Sequence, residues 1–254
     1  MANIFTNTDL FRNINEYTDL RSLCDTCILF TTLKKYIHYK LNKKYSLMYY
    51  DDVLFRNRVL YKIFNPYKQL HLDLSNCDNI IDVSALEKVH TLDLSYCKNI
   101  TDVSSLGNVN TLDLSDCYNI TDVSALGNVY KLNLSCCKIT DISALGNVHF
   151  LNLSCCKNIN DVSALGKVHT LDLSDLFYNI IDVSALGNVH TLNLSHSNIT
   201  DVSLLGNVHT LDLSYCNRIT DVSALGNVHT LDLSGCRYIT DVRTLGNVHT
   251  LILS

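Results

Sequence analysis

A unit of about 20 residues that starts near Leu72 and recurs to the end of the 254-residue chain constrains the fold more than any other feature. The first leucines of the L-x-L cores are Leu72, Leu92, Leu112, Leu132, Leu151, Leu171, Leu192, Leu211, Leu231 and Leu251, giving steps of 20, 20, 20, 19, 20, 21, 19, 20 and 20 residues. A period of this length specifies a solenoid, in which each unit buries its apolar face only against its neighbours. Such a chain presents a long stacked surface, which points to binding rather than to catalysis.

One unit runs from Val89 to Asn108. Its His90-Thr-Leu-Asp-Leu-Ser95 stretch alternates apolar with polar, the period of a short strand with one buried face. Leu92 and Leu94 point inward, while Thr91, Asp93 and Ser95 point outward. Cys97 and Ile100 return the chain to the core, and Asp102 opens Val-Ser-Ser-Leu106 in the manner of a helix N-cap. Gly107 then ends the segment, as a residue free to adopt positive φ. The irregular steps all fall in the loop after the strand, where closure costs little: Cys137-Lys-Ile139 and Ser197-Asn-Ile199 each lose a residue and Asp175 to Ile180 gains one.

The pattern L-x-x-L-x-L-x-x-C-x-x-I-T-D, with Val89 in the first position, resembles the cysteine-containing leucine-rich repeat over about residues 70–254. The short segment Ile-Thr-Asp-Val-Ser-Ala-Leu is also similar to the short-repeat members, leaving room for one turn of 3₁₀ helix. The resemblance implies an α/β solenoid, a horseshoe with a curved parallel sheet of ten strands on its concave side and 3₁₀ turns on its convex side. Such a sheet spans about 45 Å at ~4.8 Å per strand. A small helical domain over residues 1–69 precedes the solenoid of residues 70–254.

Of the 11 cysteines, Cys77, Cys97, Cys117, Cys137, Cys156, Cys216 and Cys236 share one repeat position, which makes them small buried hydrophobes in a ladder of free thiols. That ladder favours a reducing compartment. Cys136 and Cys155 lie one position earlier, at the margin of the strand surface. Cys24-x-x-Cys27 lacks the second ligand pair that a zinc site needs and reads as a helix face. The start of the chain has neither a basic region nor an apolar run, and no stretch is long enough to span a bilayer, so a cytoplasmic or nuclear location without membrane contact is expected, and secretion is not.

Charge divides the chain: residues 1–69 carry 11 Lys/Arg against 6 Asp/Glu, and residues 70–254 carry 9 against 19. Lys34, Lys35, Lys40, Lys43 and Lys44 read as one helix, and without interleaved aromatics they form a solvated face rather than a nucleic-acid site. A further helix from Asp51/Asp52 carries Val53, Leu54, Val59, Leu60 and Ile63.

The helix before them carries a second resemblance. Ile14, Tyr17, Asp19, Leu20, Leu23, Cys27, Phe30 and Leu33 follow the order I-x-x-Y-L-x-x-x-D-L-x-x-L-x-x-V-C-R-x-W-x-x-L of the F-box, with matching spacing from Asp19 onward. The leading Leu-Pro is absent, the loop before Asp19 is three residues short, and Phe30 stands for the Trp. F-boxes often precede repeats of this type, including in giant DNA viruses of amoebae, whose AT-rich genomes match the Asn, Lys, Ile and Tyr bias. The resemblance implies a substrate receptor: these eight residues would dock on the Skp adaptor of a cullin-RING ubiquitin ligase, and the repeats would hold the target. The alternative is a plain binding scaffold whose amino-terminal helices only cap the first repeat.

For partner binding, Asp93, Asp113, Asp172, Asp212 and Asp232 align along the outward strand face. Adjacent carboxylates about 5 Å apart repel by ~1 kcal/mol or less in water, which a cationic partner segment would relieve. Departures from the repeat consensus mark Tyr96, Tyr130, Lys131, Phe150 and Tyr215, because exposed aromatics anchor interfaces. His90, His149, His169, His190, His209, His229 and His249 form a further row, read as copies of one surface residue rather than a metal site. Ser, His and Asp recur in every unit, whereas catalysis needs one asymmetric constellation, and no glycine-rich phosphate loop is present. No enzyme activity, metal or cofactor is expected.

Overall fold

The computed structural model describes residues 37–63, 68–176 and 182–253. They form one parallel, open sheet of eleven strands arranged in chain order, beginning with β1 (Ile37–Lys40) and β2 (Lys68–Asp73). Strands β3 to β11 have three residues each: Thr91–Asp93, Thr111–Asp113, Lys131–Asn133, Phe150–Asn152, Thr170–Asp172, Thr191–Asn193, Thr210–Asp212, Thr230–Asp232 and Thr250–Ile252. The period therefore marks all ten strands from β2 to β11. Pairing is in register, Leu92 lying opposite Leu72 on one side and Leu112 on the other. The two short steps leave this register intact, since Leu132 pairs with Leu151 and Leu192 with Leu211. The longer step falls on residues 177–181, outside the described residues.

Most crossovers from β2 onward are a turn followed by a short 3₁₀ segment, such as Ser104–Leu106 or Ser124–Asn128, while the connection from β8 to β9 is made of turns alone. Asp102 Oδ1 accepts from the Ser104 backbone N–H at 2.8 Å, and Asp122 does the same for Ser124 at 2.9 Å. These bonds hold both carboxyls below their usual range, the backbone bond acting most strongly.

Between sheet and 3₁₀ turns lies one continuous core. Val89, Leu92, Leu94, Cys97, Ile100, Val103 and Leu106 of a single unit are all buried. Each large aliphatic side chain so buried contributes ~1.5–3 kcal/mol relative to exposure. The cysteine position has a second reason beyond size, because its thiol donates to a carbonyl of the preceding unit: Cys97 to Leu74 at 3.1 Å, Cys117 to Leu94 at 3.2 Å and Cys156 to Leu134 at 3.0 Å. Leu176 and Ser197 interrupt the ladder; Ser197 Oγ donates to Leu194 O at 2.6 Å. All nine cysteines among the described residues are free thiols.

The glycine that closes the 3₁₀ segment does not have the positive φ expected of it: Gly107 sits at −60° and Gly166 at −63°. Its role is close approach. A Cβ on Gly107 would lie 2.4 Å from the Ala125 carbonyl oxygen, and one on Gly166 would lie 2.4 Å from that of Ala185. The left-handed position is instead the strand exit, where Asn76, Tyr96, Asp116, Cys136, Cys155, Asp175, His196 and Tyr215 have φ of 54° to 61° and Gly235 has 71°.

The described amino-terminal residues seal the first repeat. Helix α1 (Lys43–Asp51) is capped by Asn42, whose side chain accepts from Tyr45 N at 3.1 Å. It buries Ser46 and Tyr49, and the Ser46 hydroxyl accepts from Asp73 N of β2 at 3.2 Å. Helix α2 (Val53–Ile63) starts at Asp52, which accepts from Leu54 N and Phe55 N at 2.8 and 3.1 Å. Two expectations are corrected here. The lysine-rich stretch is not one helix: Ile37–Lys40 pairs with β2 as a strand and only Lys43 and Lys44 enter α1. In α2, Val59 is buried and Leu60 packs on the core as expected, but Val53 and Leu54 at its first turn are 55% and 68% exposed and Phe55 is buried in their place. Phe55 stacks on Tyr45 at 6.2 Å.

Candidate interaction surface

The outward face of the sheet carries three rows that run from strand to strand, and each has its own geometry. The first is the carboxylate row. Asp93 Oδ1 accepts from Ser95 N at 2.9 Å and Ser95 Oγ at 2.7 Å, and Asp113 Oδ1 from Ser115 N and Oγ at 2.9 and 2.6 Å. Asp172, Asp212 and Asp232 accept the equivalent backbone N–H at 2.9, 2.8 and 2.8 Å. Asn133, Asn152 and Asn193 use their amide oxygen in the same way. The position therefore requires one acceptor to fix the turn, and charge is additional. Where Asn133 follows Asp113, its Nδ2 donates to the second carboxylate oxygen at 3.0 Å.

The second row lies just before each strand, where rings stack directly on one another. Tyr130, His149, His169, His190, His209, His229 and His249 form a continuous column with centroid spacings of 4.5–4.8 Å and interplanar angles of 9–22°. Nδ1 of His169, His190, His209, His229 and His249 lies 3.2 Å from the hydroxyl of the threonine that follows. The His229 pKa is depressed by desolvation and by the neighbouring His209 and His249. The recurrence of His in the sequence contains this row, but the ring-on-ring packing follows only from the strand register.

Lys131 and Phe150 replace the threonine on β5 and β6 and face each other across the sheet. Phe150 packs edge-on to Tyr130 at 5.4 Å and to His149 at 4.6 Å, so the aromatic substitutions gather into one patch at the middle of the sheet. Tyr130 is 48% exposed.

The third row is the left-handed strand exit, and Tyr96 and Tyr215 belong to it, 45% and 51% exposed and away from that patch. Tyr215 stacks on His196 at 4.5 Å and 10°. Asp116 accepts from Tyr118 OH at 2.6 Å, a bond that, ahead of desolvation, pushes the Tyr118 phenol up to about 12. The eight F-box-like residues, from Ile14 to Leu33, lie outside the described residues. Among the described residues, no group of three or more His, Cys, Asp or Glu side chains is arranged to hold a metal ion. No helix among them is long and apolar enough to cross a membrane.

Family models for leucine-rich repeats match residues 85–104, 128–145 and, as two copies, 187–227. No curated protein sequence matches the chain. Among solved structures, internalin C2 of Listeria monocytogenes is 26% identical with a TM-score of 0.55, covering 68% of this chain and 84% of that one. Internalin InlF of the same organism is 21% identical with a TM-score of 0.51, covering 76% and 68%. The functional domain of its InlJ, which includes a cysteine ladder, is 22% identical with a TM-score of 0.49 over 72% and 50%. The fold is thus a leucine-rich-repeat solenoid, and the described residues add an eleventh strand and two helices at its amino-terminal end.

Proposed function

We propose that the chain is a non-catalytic protein-binding scaffold whose partner lies on the exposed strand face, centred on Tyr130, Lys131 and Phe150. One observation carries this reading: the departures from the repeat fall on adjacent strands and pack together, Tyr130 on His149 at 4.8 Å and Phe150 against both. Aromatics accessible on a surface are the usual energetic centre of a protein interface. The flanking carboxylates, Asp93 and Asp113 on one side and Asp172, Asp212 and Asp232 on the other, favour a basic segment of the partner, with Tyr96 and Tyr215 at the margin. The test is capture of partners from source-cell or host-cell extract by the intact chain, by Tyr130→Ala/Phe150→Ala and by Glu87→Ala/Lys88→Ala on the opposite side. A partner lost only from the aromatic variant supports the reading; one retained by all three overturns it. Asp93→Asn keeps the acceptor the turn needs, so any change in salt dependence reports charge, whereas Asp113→Asn also loses the carboxylate oxygen to which Asn133 Nδ2 donates.

The finer reading, a substrate receptor docking on a Skp-type adaptor through residues 14–33, is supported by the F-box-like order of those residues. Its test follows from α1 and α2, which cover the first repeat: the deletion should remove residues 1–36 and spare residues 37–69. Adaptor bound by the intact chain and lost from that deletion supports the ligase role. Adaptor absent from both leaves the scaffold with an amino-terminal cap.

A further inference from the structure

Two consecutive units carry the doublet Ser-Cys-Cys-Lys, at residues 135–138 and 154–157. The second cysteine of each, Cys137 and Cys156, is buried in the ladder and bonded to a carbonyl. The first, Cys136 and Cys155, is half-buried at the strand exit, with φ of 60° and 59°. Cys136 N donates to Ser154 O at 2.9 Å and Cys155 N to Ser174 O at 3.0 Å, so the two residues occupy equivalent positions on adjoining rungs. Side chains in this row stack one above the other, as the 4.5 Å spacing of His196 and Tyr215 measures directly. Asp116 and Asp175 occupy the rungs on either side, so the row reads Asp-Cys-Cys-Asp across four strands.

We propose that Cys136 and Cys155 form a surface dithiol site for a single thiophilic monovalent cation, of which the cuprous ion is the type. Thiolates select soft cations. Two metal–sulfur bonds of about 2.3 Å span at most ~4.6 Å, close to the spacing of stacked neighbours in this row. Two ligands suffice for such an ion, so the site requires no third side chain. Loading replaces two S–H protons by one cation and leaves a net charge of −1 on the dithiolate, with Lys157 the nearby counter-charge acting on Cys155. Asp116 and Asp175 attract the incoming cation. The Cys155 thiol is pushed up to about 11 by burial and then by contact with Cys136, so loading releases its proton.

The experiment uses the full chain carrying Cys24→Ser and Cys27→Ser, reduced and anaerobic, with cuprous ion presented in competition with a colorimetric chelator and stoichiometry read by native mass spectrometry. The expected result is one ion per chain, retained by Cys77→Ser and absent from Cys136→Ser and from Cys155→Ser. Affinity should rise with pH, as release of the ligand protons requires. Asp116→Asn/Asp175→Asn should weaken it about tenfold. A parent chain that retains no ion, or retention unchanged in both single variants, overturns the assignment.

Discussion

Gly166 and Gly246 occupy the same place in the repeat, yet only one of them has a neighbour. A Cβ on Gly166 would meet the Ala185 carbonyl oxygen at 2.4 Å, whereas one on Gly246 would meet nothing within 4 Å. Neither residue has positive φ, so alanine is sterically acceptable to both backbones. In the absence of other contacts, Gly→Ala at such a position stabilises by about 0.4–1 kcal/mol through the unfolded chain. At Gly166 the oxygen must retreat by most of an ångström to reach ordinary contact distance. That displacement separates two units along a tightly packed interface, and overpacking of this kind costs ~1–3 kcal/mol. The two effects partly cancel, leaving Gly166→Ala destabilised by about 1–2 kcal/mol. For a chain of this size, 1 kcal/mol moves the melting temperature by roughly 2–4 °C. Thermal unfolding followed by circular dichroism should place Gly166→Ala about 2–8 °C below the parent and Gly246→Ala level with it or slightly above. Equal shifts of the same sign in both variants would refute the close-approach argument and return the glycine to a role in backbone freedom.

Three further outcomes follow from the rows. Asp93→Asn should leave urea unfolding within ~0.5 kcal/mol of the parent, while Asp93→Ala, which removes the acceptor for Ser95, should cost about 1 kcal/mol. Iodoacetamide on the native protein near neutral pH should label Cys136 ahead of Cys117, Cys137 and Cys156, which are spared until denaturant is added because burial pushes those three thiols up to about 12; labelling of the ladder at the same rate as Cys136 would contradict the packing. The His229 ring resonance should titrate below the ordinary ~6.5 and return toward it in His209→Gln/His249→Gln. With the folded value depressed, the unfolded state takes up the proton first, so the stability His229 contributes is complete above pH ~6.5 and declines as pH falls below it.

What the sequence disclosed and what it withheld divide along one physical line. The 20-residue period, the Leu-x-Leu alternation and the recurring cysteine are properties of a single unit, so strand positions, core and ladder could all be read from it. The glycine, the aspartate and the histidine acquire their meaning between units. A glycine after a short helical turn ordinarily suggests positive φ, and only the neighbouring carbonyl at 2.4 Å shows that the missing Cβ is a matter of space. The aspartate row reads as charge in one dimension, while in three it is an acceptor for the serine two residues on, which is why asparagine replaces it at Asn133, Asn152 and Asn193. Ile37–Lys40 lies among lysines at helical spacing, yet the open edge of β2 offers it a ladder of backbone bonds, and that long-range pairing overrides local propensity. The candidate surface follows the same rule. Tyr130, Lys131 and Phe150 could be found as departures from the repeat, but that they touch, and that Tyr96 and Tyr215 stand apart from them, depends on strand register. Substitutions that break a repeat can form one surface only where the register gathers them on one face, and those on β5 and β6 meet that condition.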